Sequence, residues 1–255
     1  MIKPAIFRFA LMGALLSFAP VTLADSARDL FESGDYAAAI TQARRQHTAA
    51  GYALAAEAAS VQIMLTVTSN PVKAARRAKA SAQKALALEP QNPEALIQYA
   101  VALGLETRAL SPMKAVMGSM AQKSKTANEI AYAAAPDDAR IMALQGAWHL
   151  GAVQKAGEKR AMKMFGANME EGLAWYEAAI VRASDDVLVT SNYALSLLAI
   201  DPAQYRSECE ALLKRLASLT PKTAAGAAMQ TRMAVFLPIL DDVKAVKRAA
   251  EDLGA

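Results

Sequence analysis

One stretch limits the possible folds of this chain more than any other: ALALEPQNPEALIQYAVALG, residues 85–104. Pro90 lacks an N–H and cannot continue a helix, Asn92 has the side chain of a helix cap, and Pro93 suits a first helical position. One helix therefore ends and the next begins between Pro90 and Pro93. Ala85 lies five residues before the break and Ala100 ten after it; small side chains there let antiparallel helices approach closely.

The same register occurs twice more. Around Pro136 the offsets hold Ala131, Asp138 and Gly146, and around Ser184 they hold Ala179, Asp186 and Ala194. Tyr99 and Tyr193 also coincide. An alanine-rich bundle without repeats is the competing reading, but alanine-rich helices alone would not repeat the turn chemistry.

These three copies resemble the tetratricopeptide (TPR) repeat family. The segment DSARDLFESGDYAAAITQARR, 25–45, resembles the family's inner turn, with Gly34 ending one helix, Asp35 capping the next and Tyr36 packing beneath. Gly172, Tyr176 and Ala179 resemble its small-aromatic-small second helix. The resemblance implies an all-α, right-handed solenoid of about twelve antiparallel helices over residues 25–255. The family period is about 34 residues, whereas Pro90 and Pro136 are 46 apart and Pro136 and Ser184 are 48 apart. Each unit then carries an insert of roughly a dozen residues, expected within 105–123 and 152–168, between the two helices of a pair.

The amino terminus, MIKPAIFRFALMGALLSFAPVTLA, has Lys3 and Arg8, an apolar run from Phe9 to Phe18, and small residues before Asp25. It reads as a secretory signal peptide cut after Ala24, too short and too interrupted by Pro20 to span a membrane. No further transmembrane segment is expected, and a bacterial periplasm is the expected compartment. Lys3 and Arg8 leave with the leader, so the mature chain holds 26 basic and 24 acidic side chains. That balance, with no basic nucleic-acid motif, argues against a nucleic-acid partner. Cys209 is the only cysteine and reads as a buried apolar residue rather than a reactive thiol.

Further breaks at Ser69-Asn70-Pro71, Asp201-Pro202, Thr220-Pro221 and Pro238 divide the remaining chain. Helices are expected over 49–65, 72–88, 201–219, 224–237 and 239–253, the last suited to a cap with one wet face. Lys73, Arg76, Arg77, Lys79 and Lys84 read as a solvated face.

Both inserts are basic and rich in methionine. The first places Met113, Met117 and Met120 at helical spacing beside Lys114, Lys123 and Lys125; the second holds Lys155, Lys159, Arg160, Met162, Lys163, Met164 and Phe165. Methionine adapts to irregular apolar surfaces and lysine stems lie along them, so a groove for an acidic partner segment or a small amphipathic anion is one reading. The other is that methionine fills gaps left by longer repeats while lysine faces solvent.

Catalysis finds little foothold. His47 and His149 are the only histidines, and no metal-binding, nucleophile-elbow or phosphate-loop pattern accompanies them. The pairs Asp137-Asp138, Glu170-Glu171 and Asp185-Asp186 stand at helix starts, where capping explains them. No catalytic residue, cofactor or metal is expected. His149, beside Trp148, reads as a packed, hydrogen-bonded side chain.

Two functional expectations remain. The TPR resemblance implies a non-catalytic periplasmic scaffold or adaptor whose concave face holds a protein or peptide in an open solenoid. The stretches GAWHLG and FGANMEEGLAWYEAAI, with export, repeats and long inserts, also resemble the T component of TRAP transporter systems. That resemblance implies a small-molecule-binding accessory, with a closed pocket lined by Met113, Met117, Trp148, Met164 and Trp175. Candidate binding residues across both readings are these five with His149, Lys159, Arg160 and Lys163.

Overall fold

A computed structural model describes residues 23–66 and 68–253, apart from the side chains of 23–25, 112 and 116. The expected leader lies outside the described residues except for Leu23 and Ala24, which begin the first helix. Fourteen α-helices and one 3₁₀ turn, without a strand, account for the described residues. The order is α1 (Leu23–Glu32), α2 (Tyr36–Arg45), α3 (Ala49–Leu65), α4 (Pro71–Leu88), α5 (Pro93–Ala109), α6 (Pro112–Met117) and α7 (Met120–Ala134). Then come α8 (Ala139–Ala156), α9 (Glu158–Phe165), α10 (Met169–Arg182), α11 (Val187–Ile200), α12 (Arg206–Ser218), α13 (Ala224–Met233), the 3₁₀ turn Leu237–Ile239 and α14 (Val243–Asp252). The short helices α6 and α9 lie in the two inserts and bring the number above the twelve expected.

The repeated turn works as its residue types require. Asn92, Asp138 and Asp186 each accept a hydrogen bond from a backbone N–H of the helix they precede, at 3.0, 2.8 and 2.7 Å. Ala85, Ala100, Ala131, Ala179 and Ala194 are fully enclosed. Gly146 admits the Tyr176 ring so closely that a Cβ there would lie 2.6 Å from Cδ2. Tyr176 then stacks on Tyr193, with centroids 4.7 Å apart. At the inner turn, Gly34 has φ of 91°, a conformation glycine reaches without steric cost, and Asp35 accepts from the Ala38 N–H.

Two layers follow from the contacts. Helices α3, α5, α8, α11 and α13 touch one another in that order, and α13 touches α3 again. Around this circuit, α4 packs on α3 and α5, α7 on α5 and α8, α10 on α8 and α11, and α12 on α11 and α13. Inner helices α3 and α11 are buried on nearly every side, which explains their continuous apolar sequence; a helix at the surface would carry one apolar stripe. The two ends of the chain meet in a shared cluster, where Ala225 of α13 packs with Ala27, Phe31, Leu54 and Ala58. The contacts among the inner helices thus form a circuit that returns from α13 to α3.

Three expected boundaries shift. Asp201 caps a short turn by accepting from Ala203 and Gln204, and α12 starts only at Arg206. Helix α13 stops at Met233, before the 3₁₀ turn that contains Pro238. Asp242 accepts from Lys244 and Ala245, which delays α14 to Val243.

Candidate functional site

The inserts begin where two inner helices end side by side. Helices α5 and α8 run parallel: Arg140 at the start of α8 grips Glu94 at the start of α5, and Lys155 at the end of α8 donates to the Arg108 carbonyl at the end of α5, at 3.2 Å. From these ends the chain turns into α6 and α9.

On α6, Met113 and Met117 are 71% and 80% exposed, while Met120, at the start of α7, is buried among Ile97, Leu103 and Ile141. Helical spacing had grouped all three, but only Met120 fills the core. On α9, Ala161 is the only residue fully enclosed, and Met164 is 54% exposed beside exposed Lys159, Arg160 and Lys163. Lys114 is exposed on α6. Met162 faces differently: it borders a shallow recess with Glu158, Asn168, Glu170 and Glu171. Exposed side chains of the two inserts, called here the rim, are Met113, Lys114 and Met117 on α6 and Lys159, Arg160, Lys163 and Met164 on α9.

Trp148 and His149 lie inward of α9, where Trp148 clusters with Val153, Ala161 and Ala167. The Trp148 indole donates to the Ala121 carbonyl at 2.9 Å, under the Lys125 ammonium and edge-on to the His149 ring. His149 Nδ1 accepts from the Asn168 N–H at 3.3 Å, which leaves Nε2 to donate toward Glu171 Oε2 at 3.2 Å. Burial holds this imidazole below the usual histidine range; Glu171 opposes the shift and Lys125 adds to it. Both residues thus pin the second insert to α7 and α10. Trp175 packs edge-on against Tyr132 at 5.1 Å, away from the methionines. The nine candidates have different surroundings: Met113 and Met117 are exposed on α6, Lys159, Arg160, Lys163 and Met164 are exposed on α9, Trp148 and His149 are buried in this junction, and Trp175 packs against Tyr132.

Charges in the interior are paired. Burial and Glu94 push Glu57 above the usual carboxylate range, against the opposing pull of Arg28 and Arg140. Arg140 bridges Glu94 and its own cap Asp138, both at 2.7 Å, a fork geometry that suits two carboxylates. Arg76 and Lys79 both donate to Glu106, a carboxylate only 4% exposed, with the Arg76 bond at 2.7 Å. These two cations were read as part of a solvated face; they satisfy a buried acid that lies 30 and 27 residues away, a distance that local periodicity does not reach. Burial lifts the Cys209 thiol to about 12, which leaves it protonated and inert at neutral pH.

Among the described residues no group of three or more His, Cys, Asp or Glu is arranged to hold a metal ion, and no helix is long and apolar enough to cross a membrane. Neither a protein-family model nor a curated protein matches the chain.

Proposed function

We propose that this is an exported, TPR-like helical solenoid that acts as a non-catalytic adaptor in the periplasm, and that its rim of α6 and α9 docks an acidic, amphipathic segment of a partner protein. One observation carries the reading: Met113 and Met117 stand exposed on α6 with Lys114, and Met164 on α9 with Lys159, Arg160 and Lys163. Methionine in the open contributes nothing to packing, yet it is well suited to an adaptable contact. The surrounding cations favour acidic partners and speed encounter with them. Docking is assigned to the inserts because their methionines are among the large apolar side chains left exposed.

A photo-crosslinking amino acid at position 113 or 164, introduced in the native host, tests this reading. The expected result is one discrete crosslinked protein from these sites. Position 181, on the outer surface and 84% exposed, serves as the control and yields none. Reversing charge with Lys159→Glu, Arg160→Glu and Lys163→Glu removes the product. Equal labelling from position 181 returns the rim to a solvated surface. Intact mass of the purified protein, expected to begin at Asp25, tests the export reading separately.

A further inference from the structure

The cations at the ends of the inner helices differ in how they are satisfied. Arg232 of α13 donates to the Met64 carbonyl, and Lys155 donates to the Arg108 carbonyl. Both bonds place a positive charge at the negative end of a neighbouring helix. The Arg108 guanidinium has no such outlet: among the described residues, nothing accepts a hydrogen bond from it and no carboxylate pairs with it or with Lys155.

We propose that Arg108 and Lys155 form a receptor for a small oxyanion, a carboxylate or a phosphate, where α5 and α8 end. Lys155 is held at the Arg108 carbonyl and its charge is opposed by that of Arg108; an anion bound by both removes that cost. Arg108 supplies a planar fork of donors and Lys155 a point charge, the two complementary ways of holding an oxyanion. Room exists beside them. Gly104 and Gly151 stand one turn before Arg108 and Lys155 on the same helix faces, and a Cβ at either glycine would meet nothing within 4 Å. Both side chains reach solvent, so an anion can enter.

Neighbouring protein nonetheless acts on both charges. Burial draws the guanidinium of Arg108 and the ammonium of Lys155 below their usual ranges; for Arg108 the nearby Tyr176 opposes the shift, and for Lys155 the charge of Arg108 reinforces it. The site is independent of the rim and needs no partner protein.

Titration calorimetry of the full mature protein with sodium octanoate and, separately, inorganic phosphate tests the proposal, with sodium chloride at matched ionic strength as reference. Saturable binding of octanoate alone identifies a carboxylate with an apolar tail; saturable binding of phosphate alone identifies a phosphate group. In either case Arg108→Gln weakens binding about tenfold or more, the loss expected for one charge-assisted pair. Lys155→Gln, which can still donate to the Arg108 carbonyl, gives the same answer should Arg108→Gln perturb folding, and circular dichroism checks the fold of each. Heat no larger than that of matched chloride for both probes overturns the proposal, as does binding that survives both substitutions.

Discussion

Arg232 of α13 donates from Nη1 to the main-chain carbonyl of Met64 on α3 at 2.6 Å, joining residues 168 positions apart. Around this bond Met64 and Leu65 pack between the clusters of the two ends. Closure of the inner circuit thus rests on one charge-assisted bond and the apolar contacts beside it.

Arg232→Ala is expected to lower stability by about 1.5–3 kcal/mol, the range for hydrogen bonds to charged groups. Small-angle scattering should show a larger radius of gyration as α13 parts from α3. An unchanged radius together with an unchanged urea midpoint would mean that the apolar contacts hold the ends together alone.

Close packing at one repeat position makes a second test. A Cβ at Gly146 would lie 2.6 and 2.9 Å from the Tyr176 ring and 3.0 Å from the Gly172 carbonyl oxygen. Gly146→Ala should cost about 1–3 kcal/mol through overpacking. Gly104→Ala, in open space on the neighbouring helix, should instead stabilise by about 0.5–1 kcal/mol, because alanine loses less backbone entropy in a helix. Urea denaturation of the pair decides it; equal effects would refute the register.

Glu106 links stability to acid. Burial raises its carboxyl, but hydrogen bonds from Arg76 and Lys79 and the charges of both outweigh burial and leave it below the usual value. A depressed carboxyl stabilises the fold above its unfolded value of about 4.3, and that contribution is lost as pH falls through the lower folded value. Glu106→Gln should cost about 1–3 kcal/mol at neutral pH and flatten the loss of stability in acid. A variant whose thermal midpoint tracks wild type from pH 7 to about pH 3 would contradict the pairing.

His149 acts in a different window. Its folded value lies below the usual histidine value of about 6.5, so the neutral ring stabilises the fold above that value. Below it the unfolded chain takes up a proton that the folded ring resists, and stability declines. Thermal midpoints of wild type and His149→Gln should diverge above about pH 6.5 and converge below it. Parallel curves would show that the imidazole does not report on this junction.

Much of the local architecture was legible in sequence. Pro90, Pro136 and Ser184 mark real helix breaks, the caps Asn92, Asp138 and Asp186 are occupied, and the small residues at each offset are enclosed. These features depend on neighbours a few residues apart, which a repeat register records directly. Closure was not legible, because Met64 and Arg232 lie 168 positions apart; Glu106 meets Arg76 and Lys79 only once α5 folds back on α4, a pairing that the periodicity of one helix does not record. The candidate residues divide for the same reason. Exposure of Met113 and burial of Met120 depend on where the insert turns back, and both satisfy the same spacing. Arg108 carried no signal at all, since a lone arginine at a helix end reads as a C-terminal charge.

An open repeat array can grow by gene duplication, each added unit extending a stack whose stability is roughly a sum over neighbours. Contact between α13 and α3 removes that freedom here. A duplicated helical pair would part Arg232 from Met64, and a deleted one would drive them into collision. The number of helices between α3 and α13 is thus tied to this contact, a constraint that the inserts α6 and α9 do not share.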